Sequence, residues 1–418
     1  MKMKKITGFV LLCFGCAFVS AQKPLQLAMI IDSIQAANPV FKMYEAEIRS
    51  SKEAAKAAYN WEPTQFGTGL WMTPYDPKYW AKTNNGRGMG SYMISVEQML
   101  PNKKRQEAEA KYREAMAAPT AERQKAMLNQ LVYEAKKNYY EWIILLKKKT
   151  VLKQDEALLD FMMKSAELRY KNGLGKMNVY YKLQAATGTI MSMQLDIDNS
   201  ISRKKIMLNT LMNRDASIDF SIDTLYAIKD YDAVMFDSAV FIANRSDLKA
   251  LQEDIKVNYL EQELELAKLK PVFGVQFANM IGFGQSPMQY SLMGTVRIPI
   301  AKSSGRAAKA NIESLKWKNE SLDQQKQVIL NESAGTTKSL QSELAMKKNQ
   351  VKLFSQTIIP ALRKNFQTLQ LAYEQNTEEL FALFDAWESL DKTQFEYLQQ
   401  LEDLLLMQVQ IEKILELK

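Results

Sequence analysis

The side chains of this chain that could carry chemistry are carboxylates and thioethers. Histidine is absent, and both cysteines, Cys13 and Cys16, lie close to the N-terminus. The rest of the chain can therefore form neither a serine–histidine–aspartate triad nor a zinc site of cysteine and histidine. Aspartate and glutamate are scattered along helix-like patterns, and no spacing singles out a catalytic pair. We predict that the protein is not an enzyme and holds no cofactor or resident metal ion.

Two carboxylates of the second half have a spacing that suggests another role. Glu378 and Asp385 are seven residues apart, which places them near one face of a helix and about 10 Å apart along its axis. Carboxylates clustered at a narrow opening repel one another and attract cations. The alternative is that both are ordinary solvated charges on a helix surface.

Methionine is the other possible ligand. The chain has 23 methionines, and several lie in or beside strand-like segments, among them Met93, Met280 and Met293. Thioether sulfur is a soft ligand for Cu(I) or Ag(I). Methionine more often fills irregular gaps in packing, however, and we favour that interpretation.

The N-terminus is typical of an exported protein. Lysines precede the apolar segment 6–19, and Val19-Ser20-Ala21 is a small-residue cleavage site before Gln22. Residues 1–21 are predicted to be a signal peptide, with a lipid-modified start at Cys16 as the alternative. No later segment is apolar over roughly 18 residues, so no transmembrane helix is predicted. The net charge of +8 comes from interspersed charges and does not indicate binding of nucleic acid.

The chain contains two copies of one plan, predicted to span 22–243 and 244–418. YMISVEQMLPNKKRQEAEAKYREA starts at Tyr92, and YSLMGTVRIPIAKSSGRAAKANIE starts at Tyr290. In each copy a strand-like run meets a proline and a basic patch, and a long helix pattern follows. A repeat of about 200 residues is too long for a solenoid and indicates an ancestral duplication.

Each copy supplies one pair of strands, predicted at about 62–75 and 88–100 and at about 271–283 and 288–300. Their alternation gives one apolar face, which is the weak signature of a membrane β-barrel strand. A soluble sheet with one buried face is the alternative. The helix pattern from Asn102 to Asn172 would be roughly 105 Å long. Its apolar residues have coiled-coil spacing at Leu128, Val132, Ala135, Tyr139, Trp142 and Leu146.

The number of strands has a consequence if they lie in a membrane. A barrel needs about eight strands, and an open sheet would leave its edges unpaired in lipid. Several chains must then share one barrel, and three chains would supply twelve strands. The predicted fold is mainly α with a small β part.

Two short polar turns end the long helices. The first tip, about 170–178, contains Gly173, Leu174 and Gly175, and the second tip, about 373–379, contains Asn376 and Thr377. Glycine and asparagine are the residues that best adopt the positive φ of a helix C-terminus. The turns therefore predict two helical hairpins, with a returning helix from about Met177 to Met212.

In their order and duplication these features resemble the TolC-type outer-membrane efflux family, the outer membrane factors of tripartite efflux pumps. The residues that carry the resemblance are Asn38-Pro39, segment 244–248, the joints at Pro101 and Pro299, segment 358–365, Tyr170…Gly173-Leu174 and Tyr373…Asp385-Ala386. The resemblance implies a homotrimer with a shared 12-stranded transmembrane β-barrel in outer-membrane lipid and a periplasmic α-barrel of helical hairpins. Segment 213–243 would contribute to a belt around the helices.

The resemblance also implies a passive channel of an efflux or type I secretion system. The tips would contact a periplasmic adaptor that is bound to an inner-membrane pump. Tyr373 and Asp385 match two positions of the family's entrance gate, whereas Glu378 stands where the family has an arginine. Glu378, Glu379 and Asp385 would instead form an acidic ring at the mouth. The alternatives are a periplasmic adaptor and a structural coiled-coil envelope protein, and the sequence specifies neither cargo nor pump.

Overall fold

The computed structural model describes residues 24–82, 86–173, 176–231, 237–299 and 305–417. The predicted signal peptide with Cys16, and Leu174 and Gly175 of the first tip, lie outside the described residues. The helices and strands, in chain order, are α1 (Leu27–Ala37), α2 (Pro39–Lys56), β1 (Gln65–Trp71), β2 (Ser91–Met99), α3 (Lys103–Ala115), α4 (Ala117–Lys171), α5 (Met177–Leu211), α6 (Ser238–Asn244), α7 (Ser246–Lys268), β3 (Val272–Gly282), β4 (Gln289–Arg297), α8 (Arg306–Leu353), α9 (Ile359–Glu374) and α10 (Leu380–Leu415).

The order of these elements recurs in the two halves. In each half a helix leads into two strands, an outgoing helical arm, a turn and a returning helix. The outgoing arms Lys103–Lys171 and Arg306–Glu374 contain the same number of residues. The prediction of a mainly α chain with a small β part is confirmed. None of the helices in the described ranges is long and apolar enough to cross a membrane.

The two outgoing arms are interrupted at different places. The first arm breaks at Met116, so Pro119 falls in the first turn of α4, where its missing N–H breaks no helical hydrogen bond. The second arm contains a π-helical turn at Phe354–Ile358, which ends two residues before Pro360. Proline has no N–H for the carbonyl four residues earlier, and its ring crowds that carbonyl. The wider turn is the local response to this proline.

The four strands form one antiparallel sheet in the order β1-β2-β3-β4. Its register sets apolar side chains side by side, for example Phe66 opposite Val96 and Phe277 opposite Leu292. The opposite face carries a row of small residues, Gly67, Ser95, Ala278 and Ser291. The apolar face is open in the single chain, since Phe66 is 78% and Leu292 is 68% exposed.

The long helices form a layer in the order α5, α4, α10 and the α8–α9 arm, as their contacts show. The predicted coiled-coil residues Ala135, Tyr139 and Trp142 are buried in its core. Lys347, a polar residue in the equivalent seam of α8, lies 3.0 Å from the carboxylate of Asp403 on α10. An ion pair between helices thus accommodates a charge at a seam position.

A belt of irregular chain, residues 213–231, contacts α4, α8 and α10. Its main anchor is the buried carboxylate of Glu412 on α10, which accepts hydrogen bonds from Lys136 at 2.6 Å, Lys229 at 2.5 Å and Tyr231 at 2.9 Å. Burial opposes ionisation of this group, but the bonds from both lysines outweigh it and lower the pKa of Glu412. The belt is therefore tied to both hairpins through one charged residue.

Candidate functional site

The first tip follows from the end of α4. Gly173 has φ +75°, and its N–H donates to the carbonyl of Tyr170 at 2.9 Å. Gly173 therefore has the left-handed conformation that commonly follows a helix C-terminus, which glycine adopts freely, asparagine less readily and β-branched residues only with strain. A Cβ atom on Gly173 would meet no neighbouring atom within 4 Å. The residue type is therefore restricted by the backbone conformation and not by contacts with neighbouring atoms.

The second tip has the same turn without a glycine. Asn376 has φ 59°, and its N–H donates to Tyr373 at 3.1 Å. The Thr377 N–H donates to Ala372 at 2.9 Å, which completes a Schellman motif at the end of α9. The Thr377 hydroxyl also donates to the Ala372 carbonyl. The prediction that Asn376 takes the glycine's place is confirmed in the backbone.

The two tips are in direct contact through Arg169 of α4. Its guanidinium lies 4.5 Å from the centre of the Tyr373 ring and donates to the side-chain carbonyl of Asn376. The Tyr373 hydroxyl shares a hydrogen bond with Ser165 of α4. Tyr373 is 4% exposed, whereas Tyr170, its counterpart on the first tip, is 50% exposed. The predicted gate residue Tyr373 is thus the centre of a contact between the hairpins.

Sequence reasoning missed Arg169 and Ser165. They are four residues apart, which places them on one face of α4. That spacing was visible in the sequence, but it does not say which helix the face meets.

Asp385 has a cation beside it. Lys182 of α5 lies 3.3 Å from the Asp385 carboxylate, and its ammonium is 4.2 Å from the centre of the Phe384 ring and 4.4 Å from that of Phe381. This second contact joins the returning helices of the two hairpins. The charge of Asp385 is therefore locally compensated, although the pair is partly exposed and screened by water.

The placement of Glu378 on one helix with Asp385 is wrong. Helix α10 begins at Leu380, and Glu379 before it is extended, with φ −85° and ψ 150°. After the left-handed Asn376 the chain needs several residues to turn into a new helix, and Glu378 lies in that turn. Glu378 and Glu379 are both exposed.

A cleft of about 320 Å³ lies between the tips. Arg169 and Lys176 line its first-hairpin side, and Glu379, Leu380 and Phe381 line its second-hairpin side. Within the described residues no group of acidic, histidine or cysteine side chains could hold a metal ion. The geometry suits contacts between helices and with another protein, and we see no arrangement for covalent chemistry among these residues.

The sequence matches no family model and no curated protein. The structure, in contrast, matches solved outer-membrane channels. The outer-membrane channel OprN is 14% identical with a TM-score of 0.72, over 93% of this chain and 89% of that chain. The outer membrane protein VceC from Vibrio cholerae is 13% identical with a TM-score of 0.71, over 93% and 95%.

The Campylobacter jejuni CmeC outer membrane channel is 9% identical with a TM-score of 0.72, over 93% of this chain and 85% of that chain. All three likenesses cover both halves of the chain, including the sheet and the helical arms. The part of the resemblance that concerns a single chain is therefore confirmed: this chain has the fold of one chain of the outer-membrane channel proteins of the TolC type.

Proposed function

We propose that this protein is the outer-membrane channel of a tripartite efflux or type I secretion system and acts as a passive trimeric conduit. The observation that carries the proposal is the exposed apolar face of the four-stranded sheet. Phe66, Tyr290 and Leu292 are each more than two-thirds exposed in the single chain. An apolar surface that continues across four strands needs lipid or a partner to cover it.

The free edges of the chain support a closed assembly. Strands β1 and β4 are the sheet edges, and α5 and the α8–α9 arm are the edges of the helical layer. Unpaired backbone groups at a sheet edge are costly in lipid. Three copies that join β4 to β1 and the α8–α9 arm to α5 would pair both kinds of edge at once and give twelve strands.

In this arrangement the sheet lies in the outer membrane and the helical arms extend into the periplasm. The tips, at Gly173, Leu174, Gly175, Asn376 and Thr377, would contact a periplasmic adaptor that joins the channel to an inner-membrane pump. The protein conducts cargo and catalyses no reaction. The likeness to outer-membrane channels supports this assignment.

The entrance would be closed by the contacts between the tips. Tyr373 is held by Arg169 and Ser165, and Asp385 is held by Lys182. Opening requires the two hairpins to separate, which breaks these contacts. Glu378 and Glu379 remain exposed, so they supply most of the uncompensated negative charge of the proposed acidic ring.

The membrane assignment is tested by two adjacent lysine substitutions in β3. Phe277 is on the apolar face, and Gln276 is on the opposite face. A lysine facing lipid near the bilayer centre costs about 2–4 kcal/mol. Phe277→Lys should therefore abolish trimers in outer-membrane fractions, whereas Gln276→Lys should leave them intact. Native mass measurement should give three chains per particle. A stable monomer with full strand content would contradict the proposal.

The acidic entrance is tested by ion selectivity in planar bilayers. Glu378→Gln with Glu379→Gln should lower cation selectivity clearly, because six carboxylates leave the trimer. Asp385→Asn should change selectivity less, because Lys182 already compensates that charge. If the double variant forms trimers with unchanged selectivity, the ring is not at the mouth.

A further inference from the structure

A buried pair of carboxyl groups lies where the two hairpins meet, away from the tips. Asp155 of α4 is 6% exposed, and its Oδ1 accepts a hydrogen bond of 2.7 Å from the indole N–H of Trp387 on α10. Asp391 is one helical turn beyond Trp387 and therefore shares its face of α10. The bond between Asp155 and Trp387 thus brings Asp391 to the same place.

The remaining oxygens of this pair lack ordinary partners. Asp155 Oδ2 and Asp391 Oδ1 are buried, and neither is paired with a donor among the described residues. An ionised carboxylate can only accept hydrogen bonds, so two facing carboxylates cannot satisfy each other. If one of them is protonated, its O–H can donate to the other, and the two carboxyls do lie within hydrogen-bonding reach. A single proton shared by the two carboxyl groups would therefore provide the missing hydrogen bond between them.

The surroundings favour that proton. Burial, followed by the charge of Asp155, its hydrogen bond and the charge of Glu388, raises the pKa of Asp391 to about 7. Burial also raises the pKa of Asp155, against the hydrogen bonds from Trp387 and Asp391. No cation is among the groups that act on either carboxyl within the described residues.

Cations on the neighbouring helices are engaged or exposed. The paired ones are Lys148 with Glu402, Lys149 with Asp198, Lys164 with Asp160, Lys182 with Asp385 and Lys347 with Asp403. Lys153 and Lys392, the lysines adjacent in sequence, are exposed. On α9, Arg363 and Lys364 line a groove with Tyr397 and Leu398, one to two turns further along α10 than Asp391.

We propose that Asp155 and Asp391 share one proton and that this proton sets how tightly the two hairpins pack. With the proton in place, the carboxyls bridge α4 and α10. When it leaves, two negative charges face each other in a buried contact and push the helices apart. The pair is defined by the chain's own geometry, and only its effect on opening rests on the proposed channel function.

The sign of the pH effect follows from the direction of the shifts. A carboxyl whose pKa is raised on folding binds more protons in the folded than in the unfolded state between its two pKa values. The contact between the hairpins should therefore weaken as pH rises from about 4 to about 7 and change little above that range. Closing is favoured on the acidic side of neutrality.

The test is a pH titration of the assembled protein in detergent, with the fluorescence of Trp387 as reporter. The signal of Trp387 is isolated by subtracting the titration of Trp387→Phe. We expect a transition near neutral pH in the natural protein and none in Asp391→Asn, because an asparagine amide donates permanently. Asp160→Asn removes an exposed carboxylate of α4 that is paired with Lys164, and it should keep the transition.

A second variant keeps the test decisive if Asp391→Asn does not fold. Asp155→Asn removes the charge that acts on Asp391, and its side-chain carbonyl can still accept from Trp387. The transition should then move to lower pH. A transition that persists unchanged in either variant, or that disappears in Asp160→Asn, would overturn the proposal. Bilayer recordings at two pH values test the effect on opening separately, so a failed channel assignment would leave the titration result standing.

Discussion

The two hairpin tips share one backbone turn and differ in what their side chains do. Gly173 and Asn376 both take positive φ at the end of an outgoing arm. The tyrosine three residues earlier is half exposed in the first tip and buried in the second. Cations come from the first hairpin, as Arg169 and Lys182, and their acceptors come from the second. The repeated halves thus keep a common backbone geometry, while the contact between them depends on their difference.

The largest effect should come from forcing a branched side chain into the first turn. In Gly173→Val the left-handed backbone costs about 1–2 kcal/mol, and the turn should rearrange. We expect loss of transport in cells with normal amounts of outer-membrane trimer. The control is Gly188→Val on α5, where there is also open space but no positive φ. If Gly173→Val transports normally, this turn has no role in docking.

The next effect should come from removing the cation that joins the tips. Arg169→Ala loses the contact with the Tyr373 ring and the bond to Asn376, together worth about 1–2 kcal/mol. The ratio of closed to open channels should fall roughly tenfold in bilayer recordings. Lys171→Ala is the matched control, because Lys171 pairs with Glu167 of its own helix. If both variants show the same ratio of closed to open channels, the Arg169 contact does not hold the two tips together.

A smaller effect should distinguish the two tyrosines. Tyr373→Phe removes a hydroxyl that is bonded to Ser165, and a hydrogen bond of this kind contributes about 1 kcal/mol. The closed state should be disfavoured about fivefold. Tyr170→Phe should have almost no effect, since that side chain is half exposed. Similar changes in both variants would mean that the tips are not specialised.

The smallest effect should come from exchanging the turn residues. Gly173→Asn should be tolerated, because asparagine already holds this conformation in the second tip. Asn376→Gly keeps the turn but loses the bond from Arg169. We expect less than a twofold change in transport for the first variant and a slightly larger one for the second. Transport assays with quantified trimer levels measure both.

Much of the fold could be predicted from local patterns. Helix α5 begins at Met177 as expected, because glycine and polar residues mark the preceding turn. The coiled-coil spacing identified buried residues such as Trp142, and alternation identified the apolar face of the strands. These features depend on hydrophobic periods of 3.5 and 2 residues and on the residue types in turns. Both can be identified from short stretches of consecutive residues.

The contacts of the candidate site were less predictable. Arg169 with Tyr373, Lys182 with Asp385 and Asp155 with Asp391 all join different helices that are distant in sequence. Each depends on the axial register of α4 or α5 against α9 or α10, and periodicity does not fix that register. The prediction for Glu378 was wrong for a local reason. It assigned the residues between the turn at Asn376 and the start of α10 at Leu380 to the helix itself.

The π-helical turn at Phe354–Ile358 changes which face of the second arm is presented at its tip. One residue accommodated in a wider turn changes the helical phase beyond it by about 100°. The face of the arm that packs against α10 before the turn is thus rotated relative to the face that reaches the tip. Deleting one residue there would keep both ends of the arm but turn the tip surface by over a quarter revolution. The π-helical turn thus lets the orientation of the second tip vary independently of the part of the arm that packs against α10.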